Sequence, residues 1–369
     1  MIRVPKHVLS LATVGKRAYK RAYSLAQIVK YSRADPWSVS YKNVCDARIF
    51  RNVLPAPQYC DPQRGEIKTI KEISDNKDGT FSFVMMNCAK RAKACETNKF
   101  KGPLKGVILD WSGTLVDPYS MSMIDAANSV CDRYNMQIPD KTLREKIGMC
   151  LLPWVEDFMN SNVFMSQWNS KMVIPLRLKC HDMISHCEIF HACIEQEILQ
   201  NLREKKYTTL LPGVKNAFDY MKKTDIKIGT TSGFTGEMLK CISLDAKKQG
   251  FVPDLIVASD NVNIKRYRPH YDGINYIANR LSFPHMGSIV KIGNTIEDVE
   301  EALNAGIMSI SVVNFSSEMA MYSGYSGSDK IKEIANKFFN AGSSYVVGDF
   351  RDIEFTLRDV SYHMEKGLK

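Results

Sequence analysis

The sequence predicts an α/β protein: a doubly wound parallel sheet, a helical cap inserted after its first strand, and an extended arm at the N-terminus. Three observations carry that expectation. From residue 106 onward short apolar runs alternate with stretches of helical periodicity, the pattern of a parallel sheet covered on both faces. Between 119 and 211 the helical pattern continues without a strand, which marks an insertion. Residues 35–103 carry Pro at 36, 55, 57, 62 and 103 and no sustained periodicity, so they bury little of themselves.

Taken in order, residues 1–34 hold eight basic residues and no acid before Asp35, with Val8, Leu9, Leu11 and Val14 near helical spacing. A positive amphipathic helix is drawn to an anionic membrane face and along a negative-inside potential. The segment therefore reads as a mitochondrial targeting peptide, which places the protein in the matrix. A solvated basic tail and an RNA-binding arm are the alternatives. Residues 35–104 form the arm, with a turn at "DNKDG" (75–79) and one hairpin around "GTFSFVMM". Strand 106–110 opens the core, which comprises 105–118 and 212–369. Helical patterns at 119–135, 141–149 and 154–203 make up the cap, 119–211. The core resumes with strand 226–230, helix 235–249, strand 254–258, helix 271–280, strand 288–293, helix 297–304 and strand 307–313. "SSYVVGDF" (343–350) and a helix after it add one more unit, completing a Rossmann-like order.

The net charge of +10 invites a nucleic-acid reading, but its location argues otherwise for the globular part. Residues 1–105 hold 21 Lys+Arg against 8 Asp+Glu, whereas 106–369 hold 29 against 32. Contact with RNA is thus an expectation for the basic N-terminus alone. The ten cysteines show neither CxxC pairs nor zinc-type spacing and read as reduced thiols. No stretch approaches eighteen uninterrupted apolar residues, so no transmembrane helix is expected. His181, His186 and His191 recur every five residues and spiral around a helix, which argues against a metal cluster. Phe158, Met159, Phe164, Met165 and Trp168 read as cap core or interface.

Ligands of open α/β sheets bind outside the carboxyl ends of the strands. Four loops fall there: Asp110–Thr114, Thr230–Thr235, Arg266–Pro269 and Gly293–Asp298. Their sequences, "ILDWSGTLVD", "IKIGTTSGFTGEML", "YRPH" and "VKIGNTIEDVEEALNAG", resemble the four motifs of the haloacid dehalogenase superfamily, and most closely those of phosphonoacetaldehyde hydrolases. The resemblance runs from about residue 105 to the C-terminus. It implies that Asp110 attacks phosphorus to form an aspartyl-phosphate. Asp110, the Ser112 carbonyl, Asn294 and Asp298 are then the candidate Mg²⁺ ligands. Gly113 permits a sharp turn and Thr114 bonds a phosphoryl oxygen. Thr231, Ser232 and Gly233 hold phosphoryl oxygens at a helix start. Arg268 offsets gathering negative charge, with Arg266 as a nearby substitute.

Two departures weaken the family's reaction. The fourth motif carries Asn294 where the family has a metal-binding Asp, which weakens Mg²⁺ by one negative charge. The cap carries Leu151 where the family has an imine-forming Lys, with Trp154 in place of a nearby His. Lys146 lies five residues earlier and is a poor replacement. The expectation is a catalytically degenerate mitochondrial member serving as a structural subunit or assembly factor of a large complex, ribosomal or respiratory, held through its arm. The alternative is a Mg²⁺-dependent phosphohydrolase acting on a small phosphorylated metabolite. Metal-free dehalogenation is a third, weaker reading.

Overall fold

The computed structural model describes residues 67–87, 100–170, 182–261, 263, 266–321 and 327–366. The expected targeting segment and the arm as far as residue 66 lie outside the described residues, as do the side chains of His181 and His186.

Eight strands form one sheet among the described residues: β1 (Ile67–Asp75), β2 (Phe81–Asn87), β3 (Gly106–Leu109), β4 (Lys227–Thr231), β5 (Leu255–Val257), β6 (Ile289–Gly293), β7 (Met308–Val312) and β8 (Tyr345–Val347). Their order is β1-β2-β8-β7-β6-β3-β4-β5. The strands β3 to β8 are parallel, whereas β2 runs antiparallel to β8 and β1 antiparallel to β2. Every residue of β3, β6 and β7 is buried. That follows from helices on both faces, and it explains why these strands read as apolar runs rather than alternations.

Among the described residues, five α-helices lie between β3 and residue 212: α1 (Met121–Arg133), α2 (Asp140–Arg144), α3 (Leu151–Met159), α4 (Asn162–Trp168) and α5 (Asp182–Arg203). The core adds α6 (Val214–Lys223), α7 (Gly236–Lys248), α8 (Asp272–Arg280), α9 (Ile296–Ala305), α10 (Ser317–Met321), α11 (Gly327–Ala341) and α12 (Ile353–Lys366). The cap is held by rings. Trp154, Phe158, Phe164, Trp168 and Phe190 are all nearly or fully buried, with Phe164 stacked on Trp168 at 5.8 Å and edge-on to Phe190 at 5.5 Å. The aromatic positions of the cap are therefore its core.

Several expectations are corrected. The single helical stretch 154–203 breaks at Asn160–Ser161, where Ser161 caps α4 by accepting from the Phe164 N–H at 3.2 Å. The pattern at 141–149 yields only the short α2. The helices α6, α10 and α11 were not anticipated. The arm is not all arm: residues 67–87 extend the sheet, so the core begins well before residue 105.

The hairpin is fastened to the core by charge. Asp352, fully buried, accepts from Lys71 Nζ (2.5 Å), Ser82 Oγ (2.6 Å) and the Phe83 N–H (3.0 Å). Removing the carboxylate takes this acceptor from the buried Ser82 hydroxyl and the Phe83 N–H, whereas Lys71 is exposed enough to turn to water. Asp352→Ala is expected to lower unfolding free energy by about 2–4 kcal/mol in urea titrations. Hydrogen exchange in 67–87 should rise more than in β3 or β6.

Candidate active site

The chain runs β3, β4, β5 in one direction and then β6, β7, β8 in the other, so the order reverses between β3 and β6. Asp110 follows β3 and Asn294 follows β6, one on each side of that switch point. The Asp110 N–H donates to the Ile292 carbonyl at 3.0 Å, which locks the end of β3 to β6.

The centre of the site is Arg268, on the loop after β5. Its Nη1 donates to Asp110 Oδ1 at 2.7 Å and its Nη2 to Asp298 Oδ1, while Nε lies 3.2 Å from Glu301 Oε2 without the alignment of a hydrogen bond. Beside it Lys291, fully buried on β6, donates to Thr231 Oγ1 (2.6 Å) and sits 3.1 Å from Asp298 Oδ1 and 3.0 Å from Glu301 Oε2. Three carboxylates thus face two cations in a buried cluster. Burial and the neighbouring Asp298 charge push Asp110 up to about 7, although Arg268 and Lys291 pull the other way. Burial also raises Asp298, but Arg268, Lys291 and Thr295 outweigh it and hold that carboxyl below its usual range. Arg268 is raised by its three carboxylates despite its burial, so it stays charged.

The remaining expected residues have specific placements. Asp298 forms the capping box of α9: Oδ2 accepts from the N–H groups of Asn294 and Thr295 (both 3.1 Å) and from Thr295 Oγ1 (2.8 Å). Both of its oxygens are thereby committed to protein donors. The Thr231 hydroxyl, expected to hold a phosphoryl oxygen, instead accepts from Lys291 and donates to Glu301 Oε2 at 3.1 Å. Thr114 donates to Asn294 Oδ1 at 2.7 Å, leaving the buried Asn294 Nδ2 without a partner. Gly113, at φ 77°, is required twice over, since a Cβ there would lie 2.2 Å from that Nδ2. The Ser112 hydroxyl turns away and donates to Asp117 Oδ2 at 2.7 Å. Ser232 Oγ accepts from the Phe234 N–H at 3.1 Å. Gly233 lets the cap approach, because a Cβ would meet the Met149 carbonyl at 2.3 Å. Arg266 is not part of the cluster; it is exposed and paired with Asp272 at 3.3 Å.

Four residues escaped the reading of the sequence: Lys291, Glu301, Asp117 and Cys150. Lys291 interrupts the apolar run "IVKIG", and Glu301 follows Asp298 by one helical turn on the buried face of α9. Those two signals, read together, could have paired them. Asp117, buried among Ser112 and Ser122, is pushed up to about 6 by burial. Cys150, at the N-cap of α3, is pushed up to about 12 by burial. It lines a cavity of about 20 Å³ with Ser232, Arg268 and Glu301, room for roughly one water molecule.

Removing the guanidinium strands the buried Asp110 carboxylate and leaves Lys291 alone to offset Asp298 and Glu301. Arg268→Met is expected to cost about 3–5 kcal/mol in denaturant unfolding. A second expectation concerns pH. Because the Asp110 value is raised from 3.8 to about 7 on folding, its contribution to stability is fully present below 3.8 and is lost as pH rises through about 7. Asp110→Asn should therefore flatten the fall in Tm between pH 5 and 8, and should raise Tm at pH 8 relative to the unaltered chain.

Comparison with known proteins accords with this geometry. A phosphonoacetaldehyde hydrolase of Bacillus cereus (strain G9842) is 26% identical over 271 residues, 71% of this chain and 97% of its own length. A bifunctional phosphonoacetaldehyde hydrolase/aminoethylphosphonate transaminase of Clostridioides difficile is 27% identical over 258 residues, 68% of this chain, and the chain spans 39% of that protein's length. The crystal structure of a phosphonoacetaldehyde hydrolase-like protein from Oleispira antarctica shares the fold, with a TM-score of 0.65 at 23% identity, covering 73% of this chain and 97% of that one. Residues 107–312, which carry Asp110, Arg268 and Asp298, match the model of the haloacid dehalogenase-like hydrolases, and the chain belongs to that family.

Proposed function

We propose that this chain is a phosphonoacetaldehyde-hydrolase-like member whose inherited active site does not turn over, and that it serves as a structural subunit or assembly factor of a large mitochondrial complex. One observation carries the reading: the 2.7 Å ion pair between Arg268 and Asp110 joins the cation directly to the nucleophile, with both side chains buried. A phosphoryl group needs the space between them. Leu151 stands where the resemblance places an imine-forming Lys, and an isobutyl side chain cannot condense with an aldehyde. The basic segment 1–34 supports the mitochondrial part of the proposal.

Mg²⁺ is the cofactor that the resemblance implies, and the donors on the page fit it poorly. Asp110 is paired with a guanidinium, and both Asp298 oxygens are taken by protein donors. Asn294 gives its oxygen to Thr114 and presents an unpartnered Nδ2, a donor where a hard cation needs an oxygen. A second reading, a Mg²⁺-dependent phosphohydrolase, is favoured by one feature: Asp110 and Arg268 both remain at the switch point beside Thr114.

Assay of the purified chain with Mg²⁺ against phosphonoacetaldehyde, aryl phosphates and acyl phosphates separates the two. The expected result is no turnover that Asp110→Asn abolishes, together with migration of the native protein in a large particle from organelle extract. Turnover lost in that variant establishes the phosphohydrolase instead. Asn294→Asp is expected to tighten Mg²⁺ binding by about tenfold or more, measured by calorimetric titration, because it adds a carboxylate to a carboxylate-poor site.

A further inference from the structure

The loop after β7, residues 313–317, bonds to two parts of the molecule that are remote in sequence. On one side it holds the hairpin. The Asn314 side chain accepts from the Phe81 N–H (3.1 Å) and donates to the Phe81 carbonyl (2.8 Å) and to Asp349 Oδ2 (2.8 Å). Its amide thus pairs with the hairpin backbone as a neighbouring strand would. On the other side the loop holds the entrance to the cap. The Phe315 carbonyl accepts from the Tyr119 N–H at 2.7 Å, and Ser317 Oγ accepts from Arg144 Nη1 at 3.1 Å. The same Nη1 donates to the Tyr119 carbonyl at 2.7 Å. Asn314, Ser317 and Arg144 are all buried, so none of these groups has water as a ready substitute.

The cap linker needs such a hold. Asp117, Tyr119 and Ser120 have φ of 57°, 62° and 54°, a left-handed conformation that side chains other than glycine rarely adopt. Ser120, at the N-cap of α1, makes no capping bond with its side chain, and Asp117 accepts from the Ser122 N–H in its place. The linker is thus kept in place by the Asp117 bonds to Ser112 and Ser122, by the Phe315 carbonyl and by Arg144. Swinging the cap away relieves the backbone but strips Arg144 of acceptors in the core. Both the hairpin and the loop 313–317 lie outside the residues matched by the family model.

We infer that the 67–87 hairpin braces the cap in its closed position, through Asn314, Phe315 and Ser317, so that opening of the cleft over Asp110 is governed from the sheet edge. The brace acts whether or not the site turns over. Its path runs from the Asn314 side-chain bonds along residues 314–317 to the Phe315 carbonyl and Ser317, and substitution of Asn314 or Arg144 removes the side-chain bonds at either end.

Hydrogen exchange on the full chain, with alkylation of Cys150 mapped by mass spectrometry, tests it. Cys150 sits buried where the cap meets the core and reports opening. Asn314→Ala is expected to speed exchange in 118–124 and 140–159, and Cys150 alkylation, by about tenfold, leaving β4 and β5 unchanged. Arg144→Met should speed the cap to the same extent without loosening the hairpin. An Asn314→Ala protein that loosens 67–87 while its cap exchanges at the unaltered rate overturns the inference. If that variant loosens everywhere, Lys71→Met replaces it, since it weakens the hairpin without entering the loop. Cap acceleration in Lys71→Met supports the brace, and a loosened hairpin beside an unaltered cap rejects it.

Discussion

The guanidinium of Arg268 holds the candidate site together. It draws carboxylates from two places, Asp110 at the end of β3 and Asp298 and Glu301 on α9, onto one planar cation. Without a cation there, three carboxylates would face each other in a buried cluster, with only Lys291 to offset them. The same pairs tie the segment that carries Arg268 to α9 and fix the direction of the Asp110 side chain. A lysine could match the charge but not the geometry, because a point charge cannot address Asp110 and Asp298 through separate nitrogens.

Much of this was legible in the sequence, and the residues that were not share a physical reason. The four loops could be placed because each follows an apolar run, and strand ends in a doubly wound sheet converge by topology alone. Arg268 was assigned the cationic role with Arg266 kept as a substitute, since "RYRPH" offers two cations and the loop conformation that turns one inward is not encoded in spacing. Lys291 was missed because a charge within an apolar run reads as a defect until its partner is known. That partner, Glu301, lies on the next element and satisfies it only in three dimensions. Strand β1 was missed because "IKTIKEISD" is exposed along most of its length and has no apolar face to announce it. The left-handed linker at 117–120 contains no glycine and gives no signal.

The hairpin also changes the character of the sheet. Strand β8 is short, and β2 covers its edge through three paired residues, Val84, Met85 and Met86. The burden of being an edge passes to β1, which carries Lys68, Lys71 and Glu72 and two register irregularities, between Thr69 and Lys71 and between Lys71 and Ser74. Charges and bulges of this kind discourage a further strand from adding. Among the described residues the extension therefore terminates the sheet. Its buried anchors, Asp352 and Asn314, belong to the loops that follow β8 and β7, at the same end of the sheet as Asp110.

Closure and charge state are linked through Asp110. A carboxylate attacks phosphorus only when ionised, and burial beneath the closed cap pushes this one up to about 7, where a large fraction is protonated near neutral pH. Water admitted by an open cap would restore the anion, yet it would also screen the Arg268 charge that a transferring phosphoryl group requires. A catalytic member of such a fold resolves the conflict by bringing the substrate's own negative charge between carboxylate and guanidinium. Here the guanidinium already bonds the carboxylate, both ends of the linker are held by buried hydrogen bonds, and the hairpin pins the loop that supplies them. The linker and hairpin bonds favour the closed site, in which burial and the Asp298 charge outweigh the pull of the guanidinium toward the ionised carboxylate.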